Sequence, residues 1–110
     1  MSTYQAIEFG MEGRIARLTL NRPEKLNALN PEMLEEILEA LQRVRGSDVS
    51  ALVLAAAGRA FCAGVDLGSP FFMEGVSDRS VFAGKALLDR QHELIQSLYE
   101  LPQVTLCAVN

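Results

Sequence analysis

The sequence predicts an α/β fold with the element order β-β-α-β-α-β. Two stretches space their apolar residues at three- and four-residue steps, as helices do. Two others, Ala51–Ala57 and Val104–Val109, are too continuously apolar for half-exposed strands. Clusters of Gly, Pro and Asn separate these segments, and alternating strands and helices of this kind build a largely parallel sheet.

Tyr4–Gly10 alternates loosely and reads as a first strand, Gly10–Gly13 as a turn, and Arg14–Leu20, "RIARLTL", as the antiparallel second strand. Asn21–Lys25 breaks the pattern, because Pro23 cannot donate to a ladder. Asn30 is placed to cap a helix that Pro31 opens, with Glu32, Glu35 and Glu36 near its positive end. Met33, Leu34, Ile37, Leu38, Leu41 and Val44 form its core face, and Gly46 ends it after Arg43 and Arg45. Ala51–Ala57 follows as a strand covered on both faces. Ser69–Ser77 has no clean period. Asp78 is placed to cap a second helix, whose face is traced by Leu87, Leu88, Gln91, Leu94, Ile95, Leu98 and Leu101 before Pro102 stops it. Val104–Val109 is a second strand of the buried type. It runs to Asn110 with no covering helix, which predicts that its partners lie elsewhere in a larger fold.

Composition narrows the function. The 110 residues are 49% apolar, enough for one domain with a real core. The formal charge is −4, and cationic residues group in pairs such as Arg22/Lys25 and Arg43/Arg45, not in patches. No basic patch exists to displace counterions, so neither nucleic acid nor an anionic membrane is an expected partner. Cys62 and Cys107 lack metal-ligand spacing and read as reduced thiols. The N-terminus has no secretory pattern and no apolar run approaches a membrane span, so the expected location is the cytoplasm. His92, the one histidine, reads as a solvated or half-buried helix residue.

The most informative stretch is residues 58–68, "GRAFCAGVDLG", directly after the apolar run 51–57. It has no Lys-Ser/Thr after its glycines, no dinucleotide fingerprint and no nucleophile elbow. Cys62 has no neighbouring histidine. What remains is the backbone. Gly64 permits a conformation closed to other residues and could turn the next N–H outward to stabilise an oxyanion. The same residues are also compatible with a plain structural turn.

"NRPEKLNALN" at 21–30, "GRAFCAGVDL" at 58–67 and "LPQVTLCAVN" at 101–110 together resemble the crotonase, or enoyl-CoA hydratase/isomerase, superfamily. The resemblance implies a crotonase-like spiral of β-β-α turns, with residues 1–110 forming the N-terminal part of a single domain. It implies acyl-CoA thioesters as substrates and a thioester enolate held by two peptide N–H groups. The first donor is then the N–H of Val65, presented by Gly64. Arg22, Lys25, Leu26 and Ala28, with Ala63, Asp66 and Leu67, fall on the substrate-binding stretches. Arg22 and Lys25 would lie near the phosphates of coenzyme A, the alternative being solvated loop charges. Asp66 would order the loop rather than titrate in the reaction, and Asn27 reads as a turn residue. Phe71, Phe72 and Met73 either line an acyl tunnel or pack under a loop.

The family pattern places the second donor in a Gly-rich turn after the segment matching Asn110, and the acid/base carboxylates beyond it. None of the Asp and Glu residues present takes that role, and the 110 residues alone are expected to be inactive. Hydration of a 2-enoyl-CoA is the leading reading. Double-bond isomerisation, another reaction of the family, or a non-catalytic binding product are the others. No metal and no cofactor are expected beyond the coenzyme A carried by the substrate. The parent is expected to be a homotrimer or hexamer.

Overall fold

The computed structural model describes residues 4–64 and 81–110, with side chains of the second long helix from Leu88 onward. Strands β1 (Ile7–Glu12), β2 (Ile15–Leu20), β3 (Ala51–Ala56) and β4 (Val104–Cys107) lie in that order in one sheet. Helix α1 (Pro31–Arg45) joins β2 to β3, and α2 (Val81–Tyr99) precedes β4.

The hairpin turn falls later than the sequence suggests. β1 and β2 pair antiparallel from Ile7 opposite Leu20 to Glu12 opposite Ile15, leaving only Gly13 and Arg14 in the turn. Gly13 has φ +60, the positive value a two-residue hairpin needs at its first central position. Gly10, expected to open the turn, is instead a strand residue opposite Arg17. The sheet then becomes parallel, with Ile15–Leu20 beside Ala51–Ala56 and Ala51–Leu54 beside Val104–Cys107. The parallel strands β2 and β3 thus end side by side, and the loops that leave them start as neighbours.

α1 is built as its sequence specifies. Asn30 is extended (φ −112, ψ 170), and its Oδ1 accepts the Met33 N–H at 2.8 Å. Pro31 occupies the first turn, where its missing N–H has no intrahelical partner to lose. The helix buries Met33, Leu34, Ile37, Leu38, Ala40, Leu41 and Val44 in a core shared with Ala16, Leu18 and Leu20 of β2 and Leu52 and Leu54 of β3. Glu36 fastens the N-terminal segment by accepting the N–H groups of Gln5 and Ala6 at 2.8 and 2.7 Å.

Among the described side chains, fewer from α2 than from α1 enter the core. Leu94 is buried, and Leu98 and Leu101 pack against the core, but Leu88 and Ile95 of the expected face are 54% and 63% exposed. Arg90 grips Glu35 of α1 with two guanidinium nitrogens and Glu93 with a third contact at 2.7 Å. His92 is exposed, Asp78 lies outside the described residues, and the side chain of Leu87 does also.

The two strands expected to be buried on both faces are not so among the described residues. On β3, Leu52 and Leu54 are buried, while Ala51, Val53 and Ala55 on the opposite face are half-buried. On β4, Val104 and Leu106 are 62% and 56% exposed. α1 and α2 cover one side of the sheet, and among the described residues β4 pairs through one edge only.

Asn30→Ala removes the acceptor for the Met33 N–H and is expected to lower stability by about 1 kcal/mol. Equilibrium urea unfolding of the native protein measures it. Leu52→Ala, at a position with no solvent exposure, is expected to cost about 2–5 kcal/mol in the same assay.

Candidate functional site

Parallel sheets place their sites outside the carboxyl ends of the strands. Here those ends carry an asparagine-rich segment, 21–30 after β2, and a glycine- and alanine-rich one, 57–64 after β3. The first is wound tightly. Pro23–Lys25 makes one 3-10 turn, and Leu26 and Asn27 follow with φ 53 and 55. Two consecutive non-glycine residues at positive φ are uncommon, and Leu is poorly suited to it. Four backbone bonds close this knot: Lys25 and Asn27 donate to the Arg22 carbonyl, Leu26 to that of Pro23 and Ala28 to that of Lys25, at 2.9–3.1 Å. The guanidinium of Arg22 donates to the Ala28 carbonyl at 2.5 Å.

The second segment is fastened to the first at several points. Ala57 N–H donates to the Leu20 carbonyl at 2.9 Å, continuing the ladder past the strand ends. Ala63 N–H donates to the Leu26 carbonyl at 3.1 Å, and Leu29 N–H to the Gly64 carbonyl at 2.6 Å. Between these bonds lies the side chain of Asn27, which is 0% exposed. Its Oδ1 accepts the Arg22 N–H at 2.7 Å, and its Nδ2 donates to the carbonyls of Ala57 and Ala60 at 2.8 and 2.9 Å. Asn110 adds a second amide from the far side, donating to the carbonyls of Ala56, at 3.3 Å, and Gly58. The glycines fit this closeness. Gly58 (φ +84) runs so near Pro23 that a Cβ would lie 2.8 Å from the Pro23 Cβ. Gly64 has φ +99, and no described residue comes within 4 Å of where its Cβ would lie.

The structure therefore brings Arg22, Lys25, Leu26 and Ala28 together with Ala63 and Gly64. Lys25, Ala63 and Gly64 are exposed, Arg22 and Leu26 half-buried, and Ala28 buried. Val65, Asp66 and Leu67 lie outside the described residues, as do Phe71, Phe72 and Met73. Asn27, which the sequence presents as a turn residue, does take a turn conformation. Its larger part, the amide spanning both segments, depends on contacts 30 and 33 residues away.

Beneath the second segment lies a cavity of about 160 Å³ with a wholly apolar lining. Leu20 and Leu54 of the sheet, Ile37 of α1, Leu94 of α2, and Phe61 and Cys62 of the segment itself form its walls. It offers an aliphatic group dispersion contacts and a charged group nothing. Both cysteines are free; the sequence suggests partly buried thiols, and Cys62 is half-buried, but Cys107, at the end of the edge strand β4, is exposed among the described residues. Among the described residues, no group of His, Cys, Asp and Glu could hold a metal ion, and no helix is long and apolar enough to cross a membrane.

Comparison with known proteins gives this arrangement its class. The enoyl-CoA hydratase/isomerase family model matches residues 10–110. A protein named probable enoyl-CoA hydratase from Rhodobacter capsulatus is 40% identical over 108 residues, 98% of this chain and 39% of its own length. The 1,2-epoxyphenylacetyl-CoA isomerase of Escherichia coli is 37% identical over 108 residues, 91% of this chain and 38% of its own length. The crystal structure of an enoyl-CoA hydratase/isomerase from Xanthobacter autotrophicus Py2 superposes with a TM-score of 0.88 at 34% identity, over 98% of this chain and 39% of that one. The chain belongs to the enoyl-CoA hydratase/isomerase family, within the crotonase superfamily, and it spans about two fifths of the length of these relatives.

Gly58→Ala tests the closeness of the two segments. It adds a Cβ against Pro23 at a positive φ, and is expected to cost more than about 1 kcal/mol of stability in urea unfolding.

Proposed function

We propose that the protein acts on acyl-CoA thioesters through an oxyanion-stabilised enolate, most simply the hydration of a 2-enoyl-CoA. The observation that carries this reading is the segment 57–64, poor in reactive side chains yet fastened at almost every turn to its neighbour at the carboxyl ends of β2 and β3. Such a segment suits a reaction in which a peptide dipole is the reagent. When water adds across the double bond, hydroxide joins Cβ and the electron pair moves onto the thioester oxygen until Cα takes a proton. A preorganised N–H aimed at that oxygen stabilises the charge where it develops.

The proposed first donor is the N–H of Val65. A planar trans peptide holds its N–H opposite its carbonyl. The Gly64 carbonyl accepts from Leu29, so the proposal puts the N–H of that peptide unit on the side away from Leu29. Lys25, exposed on the neighbouring segment, is proposed to meet the phosphates of coenzyme A as a point charge. Arg22, whose guanidinium also holds the Ala28 carbonyl, supports the same stretch. Leu26, Ala28, Ala63, Asp66 and Leu67 are proposed as further substrate-binding residues.

On this reading residues 1–110 are the N-terminal part of one crotonase-like domain. They contribute one of two oxyanion donors and none of the acid/base carboxylates. The whole protein is then a cytoplasmic lyase of fatty-acid metabolism, a homotrimer or hexamer, needing no cofactor beyond the coenzyme A of its substrate.

The native protein is expected to consume the conjugated thioester absorbance of 2-enoyl-CoA esters. Conversion of 3-enoyl esters into conjugated ones would instead assign the isomerase, and inertness towards both would remove the reading. Val65→Pro deletes the proposed donor and is expected to lower kcat about 10²–10³-fold in protein that remains folded by circular dichroism.

A further inference from the structure

We infer that Asn27 is a positioning residue for this site: its buried carboxamide sets the spacing and orientation of the 22–29 and 57–64 segments. The inference rests on the acyl-CoA reading for its kinetic consequences, though not for its structural ones.

The carboxamide is used at both ends. The acceptor is spent within its own segment, on the Arg22 N–H, and the donor on the other, on Ala57 and Ala60. The partners also fix which end is which, because an N–H needs the oxygen and two carbonyls need the NH₂. No other side chain of this size offers that set. Asp lacks the donors, Ser has one donor on a shorter arm, and Leu has neither. Asn is also among the few residues that tolerate the positive φ of position 27.

Position in the chain gives the clamp its leverage. Its immediate neighbours, Leu26 and Ala28, are a bond partner of Ala63 and of Arg22, and Leu29 holds Gly64. A rotation of the Asn27 amide would therefore displace the Ala63–Gly64 backbone relative to 22–29. Asn27 itself has no exposed surface, so it acts through these segments and not on substrate.

Asn27→Asp in the native protein is the informative variant. It keeps the acceptor for Arg22, loses both donors, and sets a carboxylate against two carbonyls. Burial there pushes the new carboxyl's pKa upward, and on protonation it regains one donor. At about pH 8, kcat is expected to fall about 10–100-fold, more than KM rises, since misplacement by an ångström costs on that order. Relative to wild type, kcat is expected to recover partly towards about pH 6. Wild type measured in parallel removes any contribution from Arg22, Glu24, Lys25 and Arg59, the charged groups of the two segments. Asn27→Ser, which introduces no charge, is expected to lower kcat without that recovery, and serves if the Asp variant does not fold. Hydrogen exchange at the Leu29 and Ala63 amides is expected to quicken in both variants.

A loss of stability alone, with kcat per folded molecule and exchange at Leu29 and Ala63 unchanged, overturns the inference. If wild type turns over no CoA thioester, the acyl-CoA reading fails, and exchange at those two amides still decides whether Asn27 positions the segments.

Discussion

At the carboxyl ends of β2 and β3, one buried amide hydrogen-bonds to both of the segments that leave the sheet. Each of the three hydrogen bonds of Asn27 is worth about 0.5–1.5 kcal/mol net, but each orphaned partner would cost about 1–3 kcal/mol. That asymmetry decides the outcome. Leu26, at φ 53, stores about 1–3 kcal/mol of strain of its own. The surrounding bonds are sufficient to hold it there. Without the amide, the Arg22 N–H and the carbonyls of Ala57 and Ala60 would need other partners, and the turn would keep only its own backbone bonds.

The two helices show how differently such a site can be supported on its two sides. α1 is anchored along seven buried residues and closes the core against β2 and β3. α2 rests on Leu94, with Leu98 beside it and the Arg90 fork on Glu35. The Glu35 carboxylate raises the pKa of that guanidinium above its ordinary value. An exposed pair of this kind contributes little energy, even when two-pronged. It joins α2 to α1 at one place on their exposed surfaces.

The first half of the fold was legible because its signals are local. Asn30, Pro31 and the three- and four-residue spacing after them specify α1 through contacts within a few residues. The capping bond of Asn30 reaches only to Met33. The hairpin was legible in kind but misplaced, since two glycines compete for the turn and only pairing with β2 selects Gly13. β4 misled for a different reason. An apolar run records what a strand is suited to touch, and Val104 and Leu106 remain exposed among the described residues. The segment 57–64 was legible as a motif through Gly64 and the small residues before it. The part played by Asn27 was not, because its partners lie 30 and 33 residues on.

By itself the sequence determined the elements, their order and the family, since capping, periodicity and motif spacing are properties of neighbouring residues. Only the tertiary structure decided which glycine turns, which strand faces stay open, and which asparagine joins the two segments. Those outcomes depend on which backbone groups are brought within hydrogen-bonding distance, and parallel pairing of β2 with β3 is what brings them there.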